Sequence, residues 1–189
     1  MSDPTHGWEA LAGRFAAIRS EVGVDVVRRW AADLPPGGSV VDIGCGSGRP
    51  VALALAGAGF AVSGIDPSPT LLAAFRRALP GAPAACETAE ASGYFGQRFD
   101  GAVAIGLLFL LPPATQAVVI GRVAQALRPG GRFLFSAPPV ACRWTDTLTG
   151  RESRSLGEAG YRVLLEEAGL RLIDGHEDSG GNHYFAAVG

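Results

Sequence analysis

Val40-Val41-Asp42-Ile43 runs directly into Gly44-Cys45-Gly46-Ser47-Gly48, so an apolar β-branched segment meets a carboxylate and then breaks into glycine at every second position. Such a segment buries as a strand, and the glycines let main chain close on a bound molecule. A second short apolar segment, 60–65, ends at Asp66. A glycine turn after one strand and an acid after the next builds a nucleoside pocket, with main chain against the body and the carboxylate on the ribose hydroxyls. The two oxygens of Asp66 suit a bidentate contact with neighbouring hydroxyls. The competing reading of Asp66 is a helix cap ahead of Pro67.

The spacing narrows the choice of nucleoside. Dinucleotide folds use G-x-G-x-x-G, whereas this turn is G-x-G-x-G followed by Pro50. A phosphate loop needs a lysine, and the chain has none. The segment 40–48 resembles the first motif of class I S-adenosylmethionine-dependent methyltransferases, and Gly64-Ile65-Asp66-Pro67-Ser68 resembles their second-strand G-x-D-x-S signature. Phe99-Asp100-Gly101-Ala102-Val103 is similar to the opening of the family's fourth strand. Leu127-Arg128-Pro129-Gly130-Gly131 is similar to its turn into strand five. The four motifs stand in order over about residues 38–137.

Composition sets the outer limits. At 189 residues the chain fits one domain of ordinary size, 1–189, with room for a full core. The longest apolar stretch, Ala102 to Leu111, is interrupted by Gly106 and followed by Pro112-Pro113, too short for a membrane span. Met1 to His6 shows no signal-peptide pattern, and Cys45, Cys86 and Cys142 form neither a zinc pattern nor a disulfide framework. A cytoplasmic, bacterial protein without a metal is expected. Net charge is −2, and the sixteen basic residues, all arginine, are scattered. That disfavours nucleic acid as the partner.

The elements that must hold these residues alternate along the chain. Gly7 to Trp30 has helical spacing in two pieces, with Trp8, Leu11, Phe15 and Ile18 on one face. Pro35-Pro36-Gly37-Gly38 divides residues 1–37, an expected helical lid, from the core at 38–189. Strands are expected at 39–43, 61–65, 84–86, 99–105 and 131–136, with helices at about 50–58, 69–78 and 114–127 between them. Residues 137–154 read as a long irregular loop on the substrate side. Ser155-Leu156-Gly157-Glu158 reads as a capping box opening a helix through Ala168, and 170–174 and 183–188 as the final strands. The alternation implies an α/β fold with a mostly parallel sheet. The resemblance implies a Rossmann-like three-layer sandwich with seven strands in the order 3-2-1-4-5-7-6, strand 7 antiparallel.

The resemblance also assigns roles. Gly44, Cys45, Gly46 and Gly48 are expected against the methionine part of S-adenosylmethionine, Asp42 near its amino group, and Asp66 on its ribose. Pro67 and the loop after strand three are expected to hold the adenine, with Ile105 closing the set. In that loop Cys86-Glu87-Thr88-Ala89-Glu90 departs from the family's D-A-E pattern, leaving Glu87 and Glu90 as rivals for the adenine amine; Glu87, beside Thr88 and Ala89, is favoured. For the acceptor, Trp8, Arg19, Phe109 and Trp144 are candidates, although Trp8 and Phe109 also fit plain core faces. Strand seven starts at the cofactor edge when it runs antiparallel, which brings His183 close enough for a general base; a structural histidine is the alternative.

The implied activity is methyl transfer to a small, largely apolar metabolite, releasing S-adenosylhomocysteine, by a monomer or homodimer. The sulfonium methyl is already activated, so positioning supplies much of the acceleration. The alternatives are an RNA or protein methyltransferase, a nucleotide-cofactor oxidoreductase and a non-catalytic binder of the same cofactor.

Overall fold

A computed structural model describes residues 5, 7, 9–13 and 21–189. Residues 9–13 are helical. Helix α1 (Val24–Ala31) buries Val24, Val26, Val27 and Trp30 and turns Arg28 and Arg29 outward. Then follow β1 (Ser39–Ile43), α2 (Val51–Gly57), β2 (Ala61–Ile65), α3 (Pro69–Ala78), β3 (Ala84–Ala85), β4 (Phe99–Ala104), α4 (Pro113–Ala126) and β5 (Leu127–Ser136). The chain closes with β6 (Ala141–Thr145), β7 (Glu152–Leu156), α5 (Gly157–Glu167), β8 (Arg171–Glu177) and β9 (His183–Val188).

The main sheet has seven strands in the order β3-β2-β1-β4-β5-β9-β8. The first five pair in parallel, while β9 is antiparallel to both β5 and β8. This is the expected arrangement with the last two labels shifted by two, because β6 and β7 form a separate antiparallel hairpin. The expectation of an irregular loop over 137–154 is therefore corrected: most of that segment is an ordered hairpin pairing Ala141 with Leu156 through Thr145 with Glu152. The capping box is corrected as well. Ser155 belongs to β7, where its hydroxyl donates to the Pro138 carbonyl at 2.7 Å and accepts from the Gly157 amide at 3.1 Å. The Glu158 amide donates instead to the Pro139 carbonyl at 2.9 Å.

Strand periodicity divides the core into two layers. Val41, Ile43, Phe133, Phe135 and Phe185 pack on the α4–α5 side, with Tyr161. Val40, Val62, Val103, Leu134 and Ala186 pack on the other side with Trp30, Leu55 and Phe75. Ser68 caps α3, accepting from the Leu71 amide at 3.1 Å, and Pro69 occupies the first turn. No helix among the described residues is long and apolar enough to cross a membrane.

Candidate functional site

The carboxyl ends of β1, β2 and β4 meet at the glycine turn. Gly44, at φ 71°, turns the chain so that its amide and that of Cys45 both donate to the Ile65 carbonyl, at 2.8 and 3.1 Å. The turn is thereby tied to the end of β2, beside Asp66. That carboxylate, 7% exposed, is held from two sides: Oδ2 accepts from the Gly46 amide and Oδ1 from the Ser68 amide, each at 2.9 Å. A carboxylate oxygen has two lone pairs, so this main-chain grip orients Asp66 without using its full acceptor capacity. Each of the expected glycines has its own task. Gly44 lines the cleft, Gly46 orients Asp66, and Gly48, at φ 80°, lies over Phe75, where a Cβ would come within 2.9 Å of the ring.

A cleft opens here, with about 740 Å³ of empty space that includes the open solvent at its mouth. Gly44, Ile65, Asp66 and Pro67 form one side, Thr88, Ala89 and Glu90 another, and Ile105, Gly106, Leu107, Leu110 and Leu111 the third. Glu87, the favoured partner for an adenine amine, is exposed and is not among the described lining residues; its rival Glu90 is. The amides of Ala91 and Ser92 both return to the Thr88 carbonyl, and this turn brings Glu90 round to the cleft. Asp42 and Cys45 are buried but do not line the cleft. Burial first, then the charges of Asp42 and Asp66, push the Cys45 thiol far above its ordinary range, so it stays protonated and unreactive.

The amino-terminal segment reaches the same cleft. Thr5 lines it, and its hydroxyl accepts from the Glu9 amide at 3.3 Å. Glu9 accepts from the hydroxyls of Ser68 and Thr70 at the start of α3, and these bonds hold its carboxyl below the usual range. Trp8 and Arg19, two of the acceptor candidates, lie outside the described residues.

A second, open cleft adjoins the first across Ile105 and Gly106, which line both. It brings together the remaining three candidates, Phe109, Trp144 and His183. The Phe109 and Trp144 rings stand 5.4 Å apart at 44°, with Pro138, Pro139, Val22 and Val51 extending the apolar wall. The polar end is formed by Ser136, Asn182, His183 and Tyr184. Ser136 accepts from the Gly106 amide at 2.8 Å, which ties this wall to the partition between the clefts. His183 packs edge-on against Phe185 at 4.5 Å, and its Nε2 is buried without a hydrogen-bond partner among the described residues. Tyr184 donates to Asp178 at 2.7 Å. Burial alone pushes Asp178 up, but bonds from Asn182, Tyr184 and two main-chain amides outweigh it and hold the carboxyl below its usual range.

Among the described residues no cluster of His, Cys, Asp and Glu is arranged to hold a metal. Sequence reasoning missed Leu107, Leu110 and Leu111 as walls of the first cleft. It also missed Ser136 in the second, where Pro138 and Pro139 come from the segment expected on the substrate side. The only sequence signal of the missed residues is adjacency to the ends of β4 and β5.

A family model described as "Methyltransferase domain" matches residues 13–175. No curated protein matches the sequence significantly. Among solved structures, the CcbJ methyltransferase from Streptomyces caelestis is similar with a TM-score of 0.79 at 20% identity, covering 98% of each chain. The Burkholderia thailandensis 1,6-didemethyltoxoflavin-N1-methyltransferase, with bound 1,6-didemethyltoxoflavin and S-adenosylhomocysteine, gives 0.70 at 22% identity, covering 100% of this chain and 91% of that chain. Magnesium protoporphyrin IX methyltransferase from Synechocystis PCC 6803, with bound S-adenosylhomocysteine, also gives 0.70, at 25% identity over 87% of this chain and 80% of that chain.

Proposed function

As a member of the methyltransferase-domain family, this chain is an S-adenosylmethionine-dependent methyltransferase, and we propose that it delivers the methyl group to a small, largely apolar metabolite. One observation carries the reading: two clefts share a single partition, Ile105–Gly106, with a ribose-type carboxylate in one and an aromatic wall in the other. The first cleft fits the donor. Asp66 would take the ribose hydroxyls, Pro67, Ala89 and Leu111 the faces of the adenine, Glu90 its amine, and Gly44 the approach to the methionine part. When bound, the cofactor supplies an activated methyl group.

The chain's own part is placement. In-line displacement needs the nucleophile about 3–3.5 Å from the methyl carbon, and a rigid partition between donor and acceptor supplies that constraint. Phe109 and Trp144 favour a flat apolar acceptor by ring contact. Ser136, Asn182 and His183 at the polar end favour one that carries a hydroxyl or amine for orientation. An acceptor of this kind loses a proton, and His183 is the general base in this reading. Supporting it, His183 lines the acceptor cleft beside Ser136 and Asn182.

Titration calorimetry with S-adenosylmethionine, S-adenosylhomocysteine and NAD tests the donor assignment. Both methionine derivatives should bind and NAD should not; binding of NAD alone would refute it. His183→Asn should lower turnover of an acceptor found by screening by about 10²–10⁴-fold. Turnover that matches the parent at every pH takes His183 out of the mechanism.

A further inference from the structure

Gln116 is 0% exposed in the first turns of α4, and each of its side-chain hydrogen bonds reaches outside its own helix. Its amide nitrogen donates to the Leu111 carbonyl at 2.9 Å and to the Arg154 carbonyl at 3.0 Å. Its amide oxygen accepts from the Tyr161 hydroxyl at 3.0 Å. Both donors are used, and the acceptor is engaged. A buried glutamine costs desolvation free energy that an aliphatic residue avoids, and full pairing of this kind is what offsets it.

The identity of the partners gives the arrangement a function. Leu111 ends the segment 105–111 and lines the first cleft. Arg154 lies in β7, directly opposite Arg143 and one position from the strand pair Trp144–Ser153. Tyr161 belongs to α5, which follows β7 immediately. One side chain therefore joins the wall of the donor cleft to the hairpin that carries Trp144, a wall of the acceptor cleft. The Phe109–Trp144 contact makes a second, apolar link between the same two segments.

We propose that Gln116 is a positioning residue that couples the two clefts. Occupation of the donor cleft restrains Leu111, Gln116 transmits the restraint to Arg154, and the β6–β7 hairpin settles with Trp144 in place for the acceptor. The acceptor wall is thus completed after the donor is bound. This rests on reading the first cleft as the cofactor's. The two-state element is opening and closing of the hairpin, which amide hydrogen exchange reports directly.

The experiment compares exchange at the hairpin amides in the parent protein and in Gln116→Met, each with and without saturating S-adenosylhomocysteine, whose Kd is measured separately by calorimetry. Methionine keeps the volume and removes all three hydrogen bonds. In the parent, S-adenosylhomocysteine should slow hairpin exchange about tenfold. In Gln116→Met the ligand-free hairpin should exchange about tenfold faster, the slowing by ligand should vanish, and the Kd should stay within about threefold. Gln116→Glu, which keeps the side-chain shape but removes at least one of the two amide donors, should speed hairpin exchange about threefold and carries the test if the methionine variant does not fold. Hairpin exchange like the parent's in either variant overturns the proposal. So does equal acceleration at β1 and β4, because a purely structural role predicts it. Failure of the parent to bind S-adenosylhomocysteine would sink the donor assignment, while the ligand-free comparison would still judge the link from Gln116 to the hairpin.

Discussion

Replacing Asp66 with alanine is expected to weaken S-adenosylhomocysteine binding by about 3 kcal/mol, or roughly 150-fold in Kd. The carboxylate stands at the end of β2 in the donor cleft, gripped by the Gly46 and Ser68 amides. Its removal takes away the acceptor for the ribose hydroxyls. It also leaves two buried main-chain donors without their partner, so the glycine turn and the start of α3 lose a common anchor. Asp66→Asn separates these effects poorly but informatively: its amide nitrogen cannot accept from either main-chain group, so asparagine should lose most of the affinity too. Calorimetry on the parent and both variants measures this. A Kd for the alanine variant within about threefold of the parent would exclude Asp66 as the ribose ligand.

The second large effect lies beneath the turn. Phe75→Ala should lower the unfolding free energy by about 3–5 kcal/mol, measured by urea denaturation. Phe75 is 0% exposed, and its ring fills the space left by two glycines. A Cβ on Gly48 would approach it to 2.9 Å, and one on Gly64 would come to 2.7 Å from the ring and 2.8 Å from the Cys45 sulfur. The ring is therefore the floor on which the donor turn rests, and removing it should also weaken cofactor binding. Gly64→Ala should cost about 1–3 kcal/mol by overpacking. In a Phe75→Leu background that cost should fall, since the two positions compete for one space. A loss below about 1 kcal/mol for Phe75→Ala would show that the site collapses freely and that the turn does not depend on this packing.

These packing relations explain which parts of the molecule were legible beforehand. The start of helix α3 was readable because Ser68 and Pro69 carry two independent start signals, a side-chain cap and a preset φ. Strand β9 was readable because His183–Val188 is an apolar run with a turn before it. The β6–β7 hairpin was not, because neither ACRWT nor ESRSL is an apolar run: β6 is exposed or half-buried throughout, and the residues that β7 buries, Ser153 and Ser155, are polar. Their pairing depends on distant groups, among them Gln116 and the Pro138 and Pro139 carbonyls. The Ser155 pattern was misleading for the same reason: a hydroxyl free to cap a helix locally found a carbonyl elsewhere.

The site divides along similar lines. Asp66 and Gly44 were locatable because strand ends fix them. Glu87 was favoured over Glu90 because a local pattern cannot register the tight turn at Thr88 that swings the later residue inward. The apolar rim 106–111 looked uniform in sequence, yet its 3₁₀ turn at Leu108–Leu110 sends Leu107, Leu110 and Leu111 to one cleft and Phe109 to the other. Trp144 and His183 meet across the second cleft only because β9 runs antiparallel beside β5.

The shared partition at Ile105–Gly106 also divides the chain's inheritance. Every described residue lining the donor cleft falls at or before Leu111, whereas the acceptor cleft takes Ser136, Trp144 and His183 from later segments. In the proposed reading, substitutions after position 111 would reshape part of the acceptor cleft and leave every described residue of the donor cleft in place. Chimeras joined within α4 would exploit the same seam, provided the glutamine that spans it is kept.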